Sequence, residues 1–229
     1  MIKIENHELG LQWRFEDYLI FFGNKKATPS SLLNCFPHFE FRSIRQTHSD
    51  IVIESSSELL EADAHFTSEA LVALQIKTAD CLPIFGLDPI HKNIVAIHAG
   101  WRGVESQITI KALQKLIQQG SVKKAMQWIV GPHIQKSSFE VEQDVWVKIM
   151  ESVPVDFHHQ LSNFYQKLKN NKYTIDLNSI VRAQIFSQII SEDGVHSVSV
   201  DTLTNLSWHS FRRDKENSGR NISFIVRVR

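Results

Sequence analysis

The stretch Lys77-Thr-Ala-Asp-Cys-Leu-Pro83, followed by Ile97-His-Ala-Gly-Trp-Arg-Gly103, joins apolar runs to a segment of different period. The runs Leu71–Lys77, Pro83–Leu87 and Asn93–His98 are short and rich in β-branched residues, as buried strands are. Beyond them, in Glu105–Gln119, Ile108, Ala112 and Leu116 share one helical face, and Gly120 is a stop signal. The order is therefore strand, cysteine, strand, histidine, helix. It sets Cys81 and His98 at strand ends beside a glycine-bearing turn, where a rigid sheet aims side chains and the turn leaves them accessible.

Outward from that centre, Asp50–Ile53, Gln127–Val130, Val195–Val200 and Ile222–Val228 also have strand character. Helical period returns in Glu140–Ser152, through Val141, Val145 and Ile149. It returns again in Leu177–Ser191, through Ile180, Val181, Gln184, Ile185 and Ile189, with Asp176 as N-cap and Gly194 just past the end. Strands outnumber helices and do not alternate with them. This predicts an α+β fold with mixed β-sheets, a sandwich-like core and flanking helices. No repeat or linker divides the chain, so residues 1–229 are expected to form a single domain.

Composition excludes several classes. Twenty-five basic and 25 acidic residues cancel, which gives no general attraction to nucleic acid or to an anionic membrane. Two cysteines cannot staple a secreted scaffold. The first residues lack a basic region followed by an apolar run, and no stretch approaches the roughly 18 apolar residues of a membrane span. A cytoplasmic protein is expected.

Cys81 and His98 allow two chemistries, a metal site or a nucleophile–base pair. Taken singly, Cys81 reads equally as a small core residue and His98 as a turn histidine. His48, in Ile44-Arg-Gln-Thr-His-Ser-Asp50, is a third candidate. Two imidazoles and one thiolate match a catalytic zinc site with its fourth position open, although positions so far apart form no local motif. Asp63 and Asp80 read either as groups that orient an imidazole or take a proton, or as turn and cap carboxylates. Arg102 stands near His98, and Ser210-Phe-Arg-Arg-Asp214 with Gly219-Arg220 brings further arginines together. Each suits an anion, and each reads equally as a solvated or ion-paired surface group.

Gln46-Thr-His48, Ala62-Asp-Ala64 with Thr67, Thr78-Ala-Asp-Cys-Leu-Pro83 and His98-Ala-Gly-Trp-Arg-Gly103 resemble the successive motifs of the bacterial YfiH-like family. That family is also called the multicopper polyphenol oxidase or laccase-domain family. Gly131-Pro132, Phe139-Glu-Val141, Ser210–Asp214 and Gly219-Arg220 continue the match in order, from roughly Arg45 to the C-terminus. The resemblance implies a zinc site of His48, Cys81 and His98 in a fold similar to a toxin deamidase. It implies phosphorolysis of adenosine, inosine, guanosine and methylthioadenosine, with adenosine deamination as a second reaction. The partners would be a purine nucleoside and phosphate. Arg102, Arg213 and Arg220 are then the phosphate candidates, and Asp80 and Asp63 the catalytic proton carriers.

Copper is less expected, because several copper centres need many more clustered histidines. A laccase-like oxidase, a metal-free cysteine hydrolase using Cys81 and His98, and a non-catalytic binding protein are the alternatives. Departures from the family concentrate at the N-terminus, where Phe21–Ala27 is the only remnant of its pattern and Asn24 or a neighbouring lysine replaces an arginine. Ser49 replaces a glycine, and Asp201-Thr202 a Cys-Thr pair. The expectation is a preserved metal set beside an altered substrate wall.

Overall fold

The computed structural model describes residues 3–188 and 194–229. Two six-stranded mixed sheets form its frame. The first contains β1 (Ile4–His7), β2 (Gly10–Phe15), β3 (Tyr18–Gly23), β4 (Glu40–Ser43), β7 (Val72–Thr78) and β15 (Asn221–Arg227), ordered β1-β2-β3-β15-β7-β4. The second contains β5 (Val52–Glu54), β6 (Ala64–Thr67), β8 (Leu82–Leu87), β9 (Ile94–Ala99), β10 (Gln127–Val130) and β14 (Val195–Ser197), ordered β14-β10-β8-β9-β6-β5. A small sheet of β11 (Glu140–Glu142), β13 (Lys172–Ile175) and β12 (Tyr165–Lys167) lies apart from these.

The expected α+β sandwich with flanking helices is what forms, and burial explains how its strands read in the sequence. Ile20, Phe22, Leu74, Ile76 and Ile225 of the first sheet pack against Phe85, Leu87, Ile94, Ala96 and Ile129 of the second. Alternate residues of that second sheet, including Leu82, Ile84, Val95, Ile97, Trp128 and Val130, face α3 (Ile108–Gln118), α4 (Gln143–Glu151) and α6 (Leu177–Phe186). The outer face of the first sheet, which includes Phe41 of β4, is covered by Leu32 of α1 (Pro29–Cys35) and by Phe36 and Phe39. Strands buried on both faces read as unbroken apolar runs, not as alternation.

Several boundaries move. The expected helix over Glu105–Gln119 is two helices, α2 (Trp101–Glu105) and α3, broken where Gln107 takes a left-handed φ of 55°. Glu140–Glu142 is a strand pairing with β13, so Val141 does not belong to the helix that follows. Asp176 caps α6 by accepting from the Ser179 amide at 2.9 Å. That helix ends at Phe186; the expected tail at 189–191 lies outside the described residues. The N-terminal hairpin β2–β3 was not foreseen. Its tight turn at Glu16–Asp17 holds Glu16 at φ 49° without the glycine or asparagine that usually marks such a turn.

One buried polar group stands out between the sheets. His65 pairs with Ala96 across β6 and β9, is 1% exposed, and its Nε2 has no hydrogen-bond partner among the described residues. Burial disfavours its cation and holds its pKa down at about 4, well under an ordinary imidazole. The unfolded chain therefore binds the extra proton first. Stability is full above about pH 6.5 and falls progressively toward pH 4, by about 3 kcal/mol. Urea unfolding from pH 7 to 4 should show that loss, and His65→Leu should remove most of this component. An unchanged pH slope in the variant would refute it.

Candidate metal centre

Topology brings three distant side chains to one place. Strands β4 and β7 run parallel, so their C-terminal ends lie side by side. After each of them the chain crosses to the second sheet, by way of Ile44–Ile51 into β5 and Ala79–Cys81 into β8. His48 lies on the first crossover and Cys81 on the second. Strand β9 runs antiparallel to β8, with Leu82 opposite Ala99 and Pro83 opposite His98, so His98 arrives beside Cys81.

The donor atoms of His48, Cys81 and His98 lie within 4.8 Å of one another, and His48 Nε2 is 3.9 Å from Cys81 Sγ. A tetrahedral zinc with bonds of ~2.0–2.3 Å sets its donors ~3.5 Å apart, so two imidazoles and a thiolate at this spacing fit one such ion. Gly100 makes the approach possible. A Cβ there would stand 2.9 Å from His48 Cδ2 and 3.2 Å from Cys81 Sγ.

Asp63, fully buried, organises the cluster. Its carboxylate accepts from the backbone amides of Thr47 (3.1 Å), His48 (3.2 Å) and Ser49 (2.5 Å), and from the Ser49 hydroxyl. These bonds hold His48 at a left-handed φ of 58°. The same carboxylate accepts from His98 Nδ1 at 2.7 Å, which directs Nε2 toward Cys81 and His48. Burial opposes ionisation of Asp63, but the bonds from His98 and Ser49 outweigh it and hold its pKa near 2. Burial likewise raises the Cys81 thiol, yet the neighbouring His98 cation reverses this and favours the thiolate. Burial lowers His98, and Cys81 with Asp63 raise it in turn.

Asp80 faces elsewhere. At φ 83° it turns the crossover ahead of Cys81, and its carboxylate accepts from Thr202 Oγ1 (2.7 Å) and the Arg212 amide (2.6 Å). It thereby ties the Cys81 turn to α7 (Phe211–Asp214). Thr202, on the Asp201-Thr202 departure, is its partner, and Ser49, the other departure, is bonded to Asp63.

A cavity of about 410 Å³ opens over the cluster, lined by Ile44, Gln46, His48, Lys77, Ala79, Cys81, His98, Phe211 and Arg220. Of the expected anion-binding residues, Arg220 lies in this lining. Arg102 does not, and its guanidinium stacks 4.3 Å over the Trp101 ring. Arg213 does not either, because Nε, Nη1 and Nη2 all donate within the fold, to Asp214 and to the carbonyls of Thr202, Leu203 and Trp208. Every lining residue lies at or beyond Ile44, so the divergent N-terminal segment stays outside the wall expected of it. Lys77, Gln46 and Phe211 were not singled out from the sequence. All three lie inside quoted motifs, and the fold leaves Phe211 42% exposed.

The sequence profile of the family described as multi-copper polyphenol oxidoreductase laccase matches residues 30–228, which extends the expected match well ahead of Arg45. A purine nucleoside phosphorylase of Clostridium acetobutylicum is 28% identical over 80% of this chain and 75% of its own. One of Rickettsia prowazekii is 27% identical over 82% and 76%. Among solved structures, YlmD of Geobacillus stearothermophilus superposes with a TM-score of 0.89, covering 100% of both chains at 18% identity. The hypothetical protein YfiH of Bacillus licheniformis gives 0.87, covering 97% and 98% at 20% identity. Among the described residues no helix is long and apolar enough to cross a membrane.

Because Asp63 sets two of the three donors, any affinity of the cluster for a zinc probe should fall by about 10- to 100-fold in Asp63→Asn. Competition against a chromogenic chelator measures it. Affinity unchanged in the variant would refute this role.

Proposed function

The chain belongs to the multi-copper polyphenol oxidoreductase laccase family, and on that premise we propose that it is a zinc-dependent purine nucleoside phosphorylase acting in the cytoplasm. The observation that carries this reading is the convergence of His48, Cys81 and His98 at the wall of a nucleoside-sized cavity, in a chain whose relatives bear that name. Among the described residues this is the one cluster of its kind, which suits a single ion better than a multicopper centre. Zinc held there would supply a Lewis acid for polarising an oxygen or for activating water near neutral pH.

The remaining work falls to the chain. The exposed Phe211 ring offers a purine a face on which to stack. Arg220 Nη1 is bonded to the Ser218 and Gly219 carbonyls, leaving Nε and Nη2 for phosphate. Phosphate oxygen attacks the sugar carbon, the glycosidic C–N bond breaks, and the base leaves with its electron pair and takes up a proton. Asp63 and Asp80 are already hydrogen-bonded through both oxygens and lie outside the cavity lining. We therefore assign them to holding the ligands, with phosphorolysis as the main reaction and adenosine deamination as a lesser one.

One observation favours a second reading. Cys81, His98 and Asp63 form a relay in which the imidazole favours the thiolate and the carboxylate orients the imidazole, as in a cysteine hydrolase. His48 separates the two, since a hydrolase does not need it.

The protein purified without added metal should contain about one equivalent of zinc and release base from inosine only with phosphate. His48→Ala and Cys81→Ser should each lose the zinc and lower kcat/KM by about a thousandfold or more. Full metal-free activity of His48→Ala would replace this reading with the hydrolase. Zinc retained without turnover of any nucleoside would make the protein a binding module.

A further inference from the structure

Two of the three expected phosphate arginines are engaged elsewhere, yet the cavity holds a second cation. We propose that Lys77 and Arg220 together form a subsite for a phosphate group beside the His48–Cys81–His98 cluster. The proposal deepens the phosphorolysis reading and depends on it only for the source of that phosphate.

Charge is the first argument. The lining contains Lys77 and Arg220 and no carboxylate. Among the described residues, neither makes an ion pair, whereas Arg42, Arg45, Lys111, Lys172 and Arg213 all do. The two carboxylates that hold the ligand-bearing turns are committed, Asp63 to His98 and the Thr47–Ser49 turn, Asp80 to Thr202 and Arg212. Two like charges facing one cavity repel, and a phosphate dianion between them relieves the repulsion.

Placement is the second. The register pairs Ile222 with Lys77 and Asn221 with Thr78. Arg220, one residue ahead of Asn221, therefore stands beside the end of β7, at the entry to the strand adjacent to Lys77. Lys77 is then fixed by the pairing of two central strands, and Arg220 is held one residue before that pairing begins.

Rigidity is the third. The Gln46 side chain grips the backbone of Lys77 on both sides. Its Oε1 accepts from the Lys77 amide and its Nε2 donates to the Lys77 carbonyl, each at 2.8 Å. Gln46 is two residues from His48, so the cation's anchor and the ligand-bearing turn are one unit. A lysine held this way binds an anion with little loss of backbone freedom.

The zinc-loaded protein and its Lys77→Met and Lys77→Arg variants should be titrated calorimetrically with inorganic phosphate, and in a second arm with inosine 5′-monophosphate. Phosphate binding should weaken about tenfold or more in Lys77→Met and recover to within about threefold in Lys77→Arg. Zinc content and urea midpoint should be those of the parent protein. Binding of both probes within about twofold of the parent in Lys77→Met overturns the subsite, as does absence of measurable binding to the parent. A loss confined to the monophosphate keeps the subsite, assigns its phosphate to the substrate and removes the phosphorolysis reading. Lys77-dependent phosphate binding without any base release removes that reading alone. Phosphorolysis with an unchanged phosphate KM in Lys77→Met removes the subsite alone.

Discussion

A single buried carboxylate ties this site together. Asp63 accepts three consecutive backbone amides of the Thr47–Ser49 turn and the Nδ1 proton of His98. The first set of bonds stabilises a left-handed histidine, which would otherwise be an unfavourable backbone state. The last fixes one imidazole's tautomer and direction. An anion wrapped by amides and an imidazole stays ionised despite full burial, because charged hydrogen bonds in a low-dielectric interior are strong. Without it, His48 and His98 would have no common reference.

The sheets supply the frame on which that carboxylate acts. Parallel β4 and β7 deliver two crossovers to the same edge of the sandwich, and antiparallel β9 returns to meet them. Each crossover carries one ligand, and each is pinned by an aspartate, Asp63 for His48 and Asp80 for Cys81. Asp80 reaches the opposite way, to Thr202 and to the turn that carries Phe211. The candidate ligands and the aromatic wall of the cavity are thus held by two carboxylates, although the residues they serve are scattered along the chain. Gly100 completes the geometry by leaving out the one carbon that would collide with both His48 and Cys81.

Much of this was legible in the sequence. The runs around Cys81 and His98 read as strands because both faces of those strands are buried, and the order of the flanking motifs grouped His48 with them, as the fold does. The N-terminal hairpins were not legible. The β2–β3 turn lacks the usual glycine and asparagine signals, and Glu16 adopts its left-handed conformation without either. The division of Glu105–Gln119 was hidden for a related reason. Apolar spacing continues through Ser106 and Gln107, so periodicity does not register the backbone reversal at Gln107.

The sequence by itself determined the class of fold and the family, because strand pattern and motif order are read from short segments. Only the tertiary structure decided which charges serve the cavity. Arg213, Arg102, Arg220 and Lys77 are indistinguishable as cations in a string of letters. Folding turns the first into a carbonyl clamp, lays the second over Trp101, and leaves the last two facing the cavity. The reason is that a cation's role depends on which acceptors lie within hydrogen-bond reach, and strand pairing and crossovers set that reach, not sequence spacing.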